Sequence, residues 1–366
     1  MDRKLNIGIL GTRGIPNQYG GFEQCAQYLS EALVKKRHRV VVYNSSNHPY
    51  QENTWNDVEI IHCKDPENKL GTAGQFIYDF NCIMHARKMN FDIVLHLGYT
   101  SSSIWYSLFP ENAINIINMD GLEWKRSKYS IKVQRFLKLA EKLAAKHGDF
   151  LVADSIGIQQ HLLKTYKKES TFIAYGAEIF QHPNEKVLAN YNLKAYDYDI
   201  ILARMEPENN IETIIKGFLK STSKRKLIIV GNATNNFGTY LKDTYQDDRL
   251  LFLGAIYDVE IINNLRFFSS LYFHGHSVGG TNPSLLEAMS SNALIVAHDN
   301  IFNKSILENN SFYFKTAEDI ISIINDFDSK SFYQNFIENN LKLISEKYNW
   351  QKIADDYERL FINVLK

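Results

Sequence analysis

The stretch Leu5-Asn6-Ile7-Gly8-Ile9-Leu10-Gly11-Thr12-Arg13-Gly14-Ile15-Pro16-Asn17-Gln18-Tyr19-Gly20-Gly21-Phe22-Glu23 decides the fold class. A short apolar run meets a glycine-rich loop, and from Phe22 to Lys36 the residues Ala26, Leu29, Ala32 and Leu33 recur at helical spacing. Val40-Val41-Val42-Tyr43 follows at once, rich in β-branched residues. Runs of the same kind lie at Val58–Ile61, Ile93–Leu97, Ile114–Asn118 and Phe150–Ala153, with helical patterns between several of them. Strands alternating with helices at this spacing predict a parallel sheet covered on both faces.

The alternation lapses around Glu178 to Tyr198, which includes Gln181-His182-Pro183-Asn184-Glu185, and restarts with Asp199-Ile200-Ile201-Leu202-Ala203. The second series reads as helix Ile211–Leu219, strands Leu227–Val230 and Leu250–Leu253, helix Asp258–Phe268, strand Leu271–Phe273, helix Asn282–Ser290 and strand Leu294–Ala297. Trp350, Ile353, Ala354, Tyr357, Leu360, Phe361 and Val364 describe a terminal amphipathic helix. The expected organisation is an N-terminal Rossmann-like domain over 1–180, a linker over 181–198, a second such domain over 199–345, and a helix within 346–366 packing back toward the first. A chain of 366 residues suits two domains at about 150 residues each. Two doubly wound sheets would place a cleft between their carboxyl ends, where open α/β sheets bind ligands.

Composition narrows the function classes. The 41 basic residues balance 41 acidic ones, so nucleic acid is not an expected partner. Cys25, Cys63 and Cys82 are odd in number and far apart, which disfavours a disulfide framework and a structural zinc site. The apolar run Leu5–Leu10 is too short for a signal-peptide core, and no run reaches the length of a membrane span, so a cytoplasmic location is expected.

Two glycine-rich loops carry the chemistry. In the first, glycines at 8, 11 and 14 do not form the dinucleotide fingerprint, and no Gly-Lys-Ser/Thr follows, so neither an NAD enzyme nor a P-loop is indicated. Gly20-Gly21 instead precedes a helix N-terminus, where bare amides can meet an anion. The second is Phe273-His274-Gly275-His276-Ser277-Val278-Gly279-Gly280-Thr281-Asn282-Pro283-Ser284-Leu285-Leu286-Glu287-Ala288-Met289. Asn282 can cap a helix with Pro283 at its first position, amides of Gly280 to Asn282 can hold a diphosphate, and Glu287 can accept from paired ribose hydroxyls.

Gly279–Met289 resembles the donor-site motif of the large retaining GT-B glycosyltransferase family numbered four. With residues 11–23, Met119-Asp120-Gly121-Leu122-Glu123-Trp124 and Ala153-Asp154-Ser155, it is similar to the branch that includes bacterial rhamnosyltransferases of capsule, O-antigen and cell-wall polysaccharide assembly. The resemblance implies a nucleotide-diphosphate sugar as donor substrate, dTDP-rhamnose in this branch, with no further cofactor and no metal. It implies a lipid-linked or polysaccharide acceptor and retention at the anomeric carbon. It also assigns Glu287 to the nucleotide ribose and the turn at Gly280, Thr281 and Asn282 to the diphosphate and sugar. Two positions depart from the pattern: Gly279 stands where a sugar-contacting Glu is usual, and Asn209 where a Lys assists Arg204 at the diphosphate. Arg204 is then expected to carry the charge, with Arg13 as a candidate to compensate. A non-hydrolysing nucleotide-sugar epimerase of the same fold and a non-catalytic sugar-nucleotide-binding protein are the alternatives.

Asp120 and Asp154 each follow an apolar strand, where a carboxylate can orient an acceptor hydroxyl. For Asp154 the competing reading is a helix cap. His96, His274 and His276 are candidates to line the cleft, with His96 reading slightly better as a core residue. Between Lys125 and Lys146 stand eight Lys or Arg and one acid, Glu141, beside an apolar stripe of Val133, Phe136, Leu137, Ala140, Leu143 and Ala144. That helix can face the core or rest on the inner surface of an anionic membrane. Residues 1–180 hold 22 basic and 18 acidic side chains and the remainder 19 and 23. Asp197-Tyr198-Asp199, in the linker region, fits the Asp-x-Asp pattern of metal-dependent sugar transferases, and it reads as chance.

Overall fold

The computed structural model describes residues 4–18, 20–126 and 128–366, which fold as two compact units. The first takes in the chain up to Trp124, Tyr129–Gly176 and Trp350–Lys366, and the second comprises Lys125–Lys128 and Ala177–Asn349.

The first unit is built on strands β1 (Asn6–Leu10), β2 (Arg39–Ser45), β3 (Thr54–Trp55), β4 (Val58–Cys63), β5 (Ile93–Leu97), β6 (Ile114–Met119), β7 (Phe150–Ala153) and β8 (Thr171–Phe172). They lie in the order β3-β4-β2-β1-β5-β6-β7-β8, all parallel except the β3–β4 pair. All five residues of β5 are buried, as a parallel strand covered on both faces requires. The second unit has six parallel strands, β9 (Tyr198–Leu202), β10 (Lys226–Val230), β11 (Leu250–Gly254), β12 (Tyr272–His274), β13 (Ile295–His298) and β14 (Phe312–Phe314), in the order β11-β10-β9-β12-β13-β14. Its core joins Ile201, Ile215, Phe218, Ile229, Phe273 and Val296 with residues of the covering helices. Both sheets are Rossmann-like, and two such units are the GT-B architecture.

The helix Trp350–Val364 belongs to the first unit because its apolar series has a partner there: Trp350, Ile353, Ala354, Tyr357, Leu360 and Phe361 are all buried. Trp350 stacks on Tyr28 of the helix Gly21–Lys35 with centroids 4.7 Å apart, and Asn118 Nδ2 donates to the Tyr357 hydroxyl at 3.0 Å. Lys36 Nζ meets both Asp355 and Glu358 at 2.6 Å.

The stretch 181–198 is not an open connector. Asn184 caps a 3-10 segment, Glu185–Tyr191, that buries Leu188, and Asn184 N donates to Asn264 Oδ1 at 2.6 Å. Asp199, from the Asp-x-Asp pattern, is a fully buried strand residue forked by Arg225 at 3.1 Å to each oxygen. The basic segment forms the helix Ile131–His147, capped by Ser130. Leu137, Ala140, Ala144 and Ala145 face inward, whereas Val133 is 39% exposed, so the apolar stripe is covered only from its second turn. Glu141 is buried and accepts from Trp124 Nε1 at 2.9 Å, His161 Nε2 at 2.9 Å and the Tyr166 hydroxyl at 2.7 Å. Those donors hold its carboxyl below the ordinary range against the opposing effect of burial. With its acid turned inward, the outer face shows Lys132, Arg135, Lys138, Lys142 and Lys146 around exposed Ile131 and Leu139. Among the described residues no helix is long and apolar enough to cross a membrane.

Candidate functional site

In the second sheet β9 is flanked by β10 on one side and β12 on the other, so the strand order reverses between β9 and β12. The loops leaving these two strands must diverge, and the opening they frame is where such sheets bind ligands. Both loops bear the sequence candidates: Arg204 and Asn209 follow β9, and Gly275 to Asn282 follow β12.

The loops are tied to each other through their backbones. Asn210 Nδ2 donates to Gly275 O at 2.8 Å, and Ser277 Oγ donates to Glu208 O at 2.7 Å. Gly275 is required for this approach, since a Cβ there would lie 2.0 Å from Asn209 O. Asn300 and Asn303 donate to His276 O at 3.0 and 3.1 Å, which ties in the loop after β13 as well. These amides, which sequence reading missed, hold the loops without any ligand.

Beyond the ties the chain turns into the helix Pro283–Ser290, where Asn282 Oδ1 accepts from Ser284 N at 2.9 Å. Gly280 and Thr281 precede this cap, with Thr281 buried. Gly279 has φ +134°, a conformation L side chains rarely adopt, although a Cβ would meet nothing within 4 Å. This turn is therefore built for glycine, and a glutamate at 279 would strain it.

Glu287, one turn into that helix, is anchored by a residue with no local sequence signal. Arg266 is 1% exposed and donates from Nη2 to Glu287 Oε2 at 2.8 Å and to Ser284 Oγ at 3.1 Å. Glu287 keeps 30% side-chain exposure, so its carboxylate is both fixed and accessible.

Arg204 is exposed on the first loop. Asn209, by contrast, is 4% exposed and donates from Nδ2 to Arg204 O at 2.8 Å. Its amide shapes the loop that presents Arg204, and no charge stands at that position. His274 is fully buried, stacks on His276 with centroids 4.4 Å apart, and neither of its ring nitrogens has a hydrogen-bond partner among the described residues. Burial pushes the His276 imidazole down to about 3, and the charges of Arg204 and Arg126 act in the same direction.

The remaining candidates lie in the first unit. Gly20 stands at the N-cap of the helix Gly21–Lys35, and Glu23 Oε1 accepts from Arg13 N at 2.9 Å. Arg13 departs from the expected compensating role: its guanidinium forks Glu67 at 3.1 and 2.8 Å, so its charge is matched locally. His96 does not line an opening. It is 0% exposed, stacked on Phe109 and within 3.3 Å of Asn115 Oδ1, and burial lowers its pKa to about 4. Asp120 and Asp154 immediately follow β6 and β7; burial raises the Tyr175 phenol, and both their charges act in the same direction. The helix after Asp154 is capped by Ser155, whose Oγ accepts from Ile158 N at 3.2 Å, so the cap reading falls to the neighbour. Among the described residues no group of three or more His, Cys, Asp or Glu is placed to hold a metal ion.

Two Rossmann-like sheets, the second with a glycine-built turn and an anchored glutamate at its switch point, define the class: the fold is that of GT-B glycosyltransferases. Residues 191–343 match the family described as glycosyl transferases group 1, and residues 4–178 match a domain of unknown function, DUF1972. An uncharacterised glycosyltransferase of Methanocaldococcus jannaschii is 25% identical over 301 residues, 75% of this chain and 76% of the relative. Among solved structures, sucrose-phosphate synthase from Thermosynechococcus elongatus superposes with a TM-score of 0.80 at 16% identity, covering 99% of each chain. Anabaena HepE in complex with UDP and glucose gives 0.74 at 15% identity, covering 98% of this chain and all of that one. A glycosyltransferase from Rickettsia africae gives 0.70 at 14% identity, with 99% of each chain covered. Domain match and fold together support a GT-B glycosyltransferase.

Proposed function

We propose that the loops after β9 and β12 bind a nucleotide-diphosphate sugar, dTDP-rhamnose, and that the enzyme transfers the sugar with retention to a hydroxyl of a lipid-linked or polysaccharide acceptor in bacterial capsule, O-antigen or cell-wall synthesis. The observation that carries the donor reading is Glu287, accessible yet anchored by buried Arg266, directly behind the Gly279–Asn282 turn. A carboxylate fixed in this way suits two vicinal ribose hydroxyls, because the cost of orienting it is met in the free protein. HepE, whose structure holds UDP and glucose, has the same fold and makes a UDP-sugar the rival donor.

In this reading Arg204, the amides of Gly280 to Asn282 and the helix N-terminus stabilise charge that grows on the leaving diphosphate, without a metal ion. The bond from the anomeric carbon to the diphosphate oxygen breaks, the acceptor oxygen bonds on the same face, and the acceptor proton passes to the leaving phosphate. Asp120 and Asp154 position the acceptor hydroxyl. The exposed basic face of the helix Ile131–His147 would hold the protein at the inner surface of an anionic membrane.

Thermal-shift screening against dTDP-, UDP- and GDP-sugars tests the donor. A dTDP preference is expected, and a UDP or GDP preference would remove the rhamnose assignment. Product analysis with a lipid-linked acceptor should give a retained glycoside in the presence of EDTA. A free epimerised nucleotide sugar would point to an epimerase, and binding without any transfer to a non-catalytic role.

A further inference from the structure

Most residues of the loop after β12 have little besides backbone to offer a ligand. Gly275, Gly279 and Gly280 carry no side chain, and Val278 is apolar. Ser277 Oγ donates to Glu208 O, Asn282 Oδ1 holds the helix cap, and Thr281 is buried and already engaged. His276 differs. Its ring is part-exposed, and its Nδ1 is buried with no hydrogen-bond partner among the described residues.

The strand places this ring. Tyr272 and His274 are alternate residues of β12 and share one face of the sheet, and His276 continues the series. The three rings form a stack with successive centroids 6.3 and 4.4 Å apart. The Tyr272 hydroxyl lies 2.9 Å from Ser284 Oγ, so this face is the one covered by the first turn of the helix Pro283–Ser290. Every second residue advances about 6–7 Å toward the carboxyl end of the strand, so the stack runs from beneath Ser284 toward the Gly279–Asn282 turn. Asn300 and Asn303, bonded to His276 O, fix the backbone below the ring. Burial keeps both imidazoles uncharged. A neutral imidazole offers one donor and one acceptor, which matches a hydroxyl better than a phosphate. Three buried ring nitrogens without partners, two on His274 and one on His276, are costly to keep and mark a place where a bound group completes the hydrogen bonding.

We propose that His276 recognises the transferred sugar of the nucleotide-diphosphate donor by hydrogen bonding one of its hydroxyls, while His274 behind it holds the plane of the ring. This rests on the donor reading above, in which Arg204 and the amides of Gly280 to Asn282 take the diphosphate. The sugar is then read by an uncharged side chain from the strand end, next to a turn whose glycines supply only backbone.

Calorimetric titration of the full chain with dTDP, dTDP-rhamnose, UDP and UDP-glucose tests it, read as the affinity of each sugar nucleotide relative to its own diphosphate. His276→Phe keeps a ring stacked on His274 and removes both nitrogens. It should lower that ratio by roughly threefold to tenfold, the loss of one neutral hydrogen bond, with binding of the bare diphosphate changed less than about twofold. His276→Gln restores a donor and an acceptor and should recover part of the ratio. An unchanged ratio in His276→Phe overturns the proposal and leaves the donor reading intact: equal weakening of both ligands would put His276 at the diphosphate, and equal weakening with a lowered melting temperature would make its role structural. A wild-type protein that binds none of these nucleotides, nor GDP, removes the donor reading and the proposal together.

Discussion

Asp79 shows how a single buried carboxyl sets a pH dependence. It is 6% exposed and accepts from Ser101 Oγ at 2.6 Å, yet burial outweighs that bond and raises its pKa from 3.8 to about 6. A folded-state pKa above the unfolded value favours the protonated form on folding, so the associated stability is full below about pH 4 and is lost as pH rises through about 6. The loss is on the order of 2–3 kcal/mol. Asp79→Asn removes the titration, and its unfolding free energy relative to wild type should therefore climb between pH 4 and pH 7 in denaturant titrations. A difference that stays flat would refute the assignment. Residues of this kind mark the limit of what a sequence discloses. Glu287 was readable because a capped helix and a glycine turn surround it in sequence, whereas Arg266, 21 residues away, looks like any solvent-facing helical arginine until the fold buries it. His96, read as more a core residue than a cleft residue, is indeed buried against Phe109, whereas the ion pair of Arg13 with Glu67, 54 residues away, has no local signal.

Among the elements, the longer strands and helices were legible from periodicity, because a continuous apolar run or a 3.6-residue stripe states which face is covered. The shortest edge strands were not. Phe312–Phe314 and Thr171–Phe172 are too short for a pattern to emerge, and they form because β13 and β7 offer them a ladder. The stripe on Trp350–Val364 was visible, but its partner is specified by side-chain shape. Trp350 is 7% exposed and stacked on Tyr28, so Trp350→Ala should cost about 3–5 kcal/mol, read as a lower denaturant midpoint for the first unit. A loss under about 1 kcal/mol would mean the helix is held mainly by the charges of Asp355 and Glu358. The helix Ile131–His147 makes a separate prediction. Sedimentation with vesicles containing anionic lipid should carry the protein down at low salt, and Lys132, Arg135, Lys142 and Lys146 changed together to Glu should abolish this. Binding that neutral vesicles reproduce would rule out the electrostatic basis.

At the scale of the whole molecule, net charge zero conceals a first half positive by four and a second half negative by four. An anionic donor therefore has to be recognised by local groups. Hydrogen exchange should report this: dTDP is expected to slow exchange in residues 204–210 and 275–282 while leaving β1 to β4 unchanged, and protection confined to the first unit would reverse the assignment of donor and acceptor domains. The discontinuity of the first unit has a further consequence, for biosynthesis. A ribosome delivers Ala177–Asn349 before it delivers Trp350–Lys366, so the second sheet can be completed while the first still lacks its closing helix. The domain that emerges first is therefore the last to be finished. Chains cut short near their end carry an exposed apolar seam along the helix Gly21–Lys35, the kind of surface by which quality-control machinery selects incomplete products.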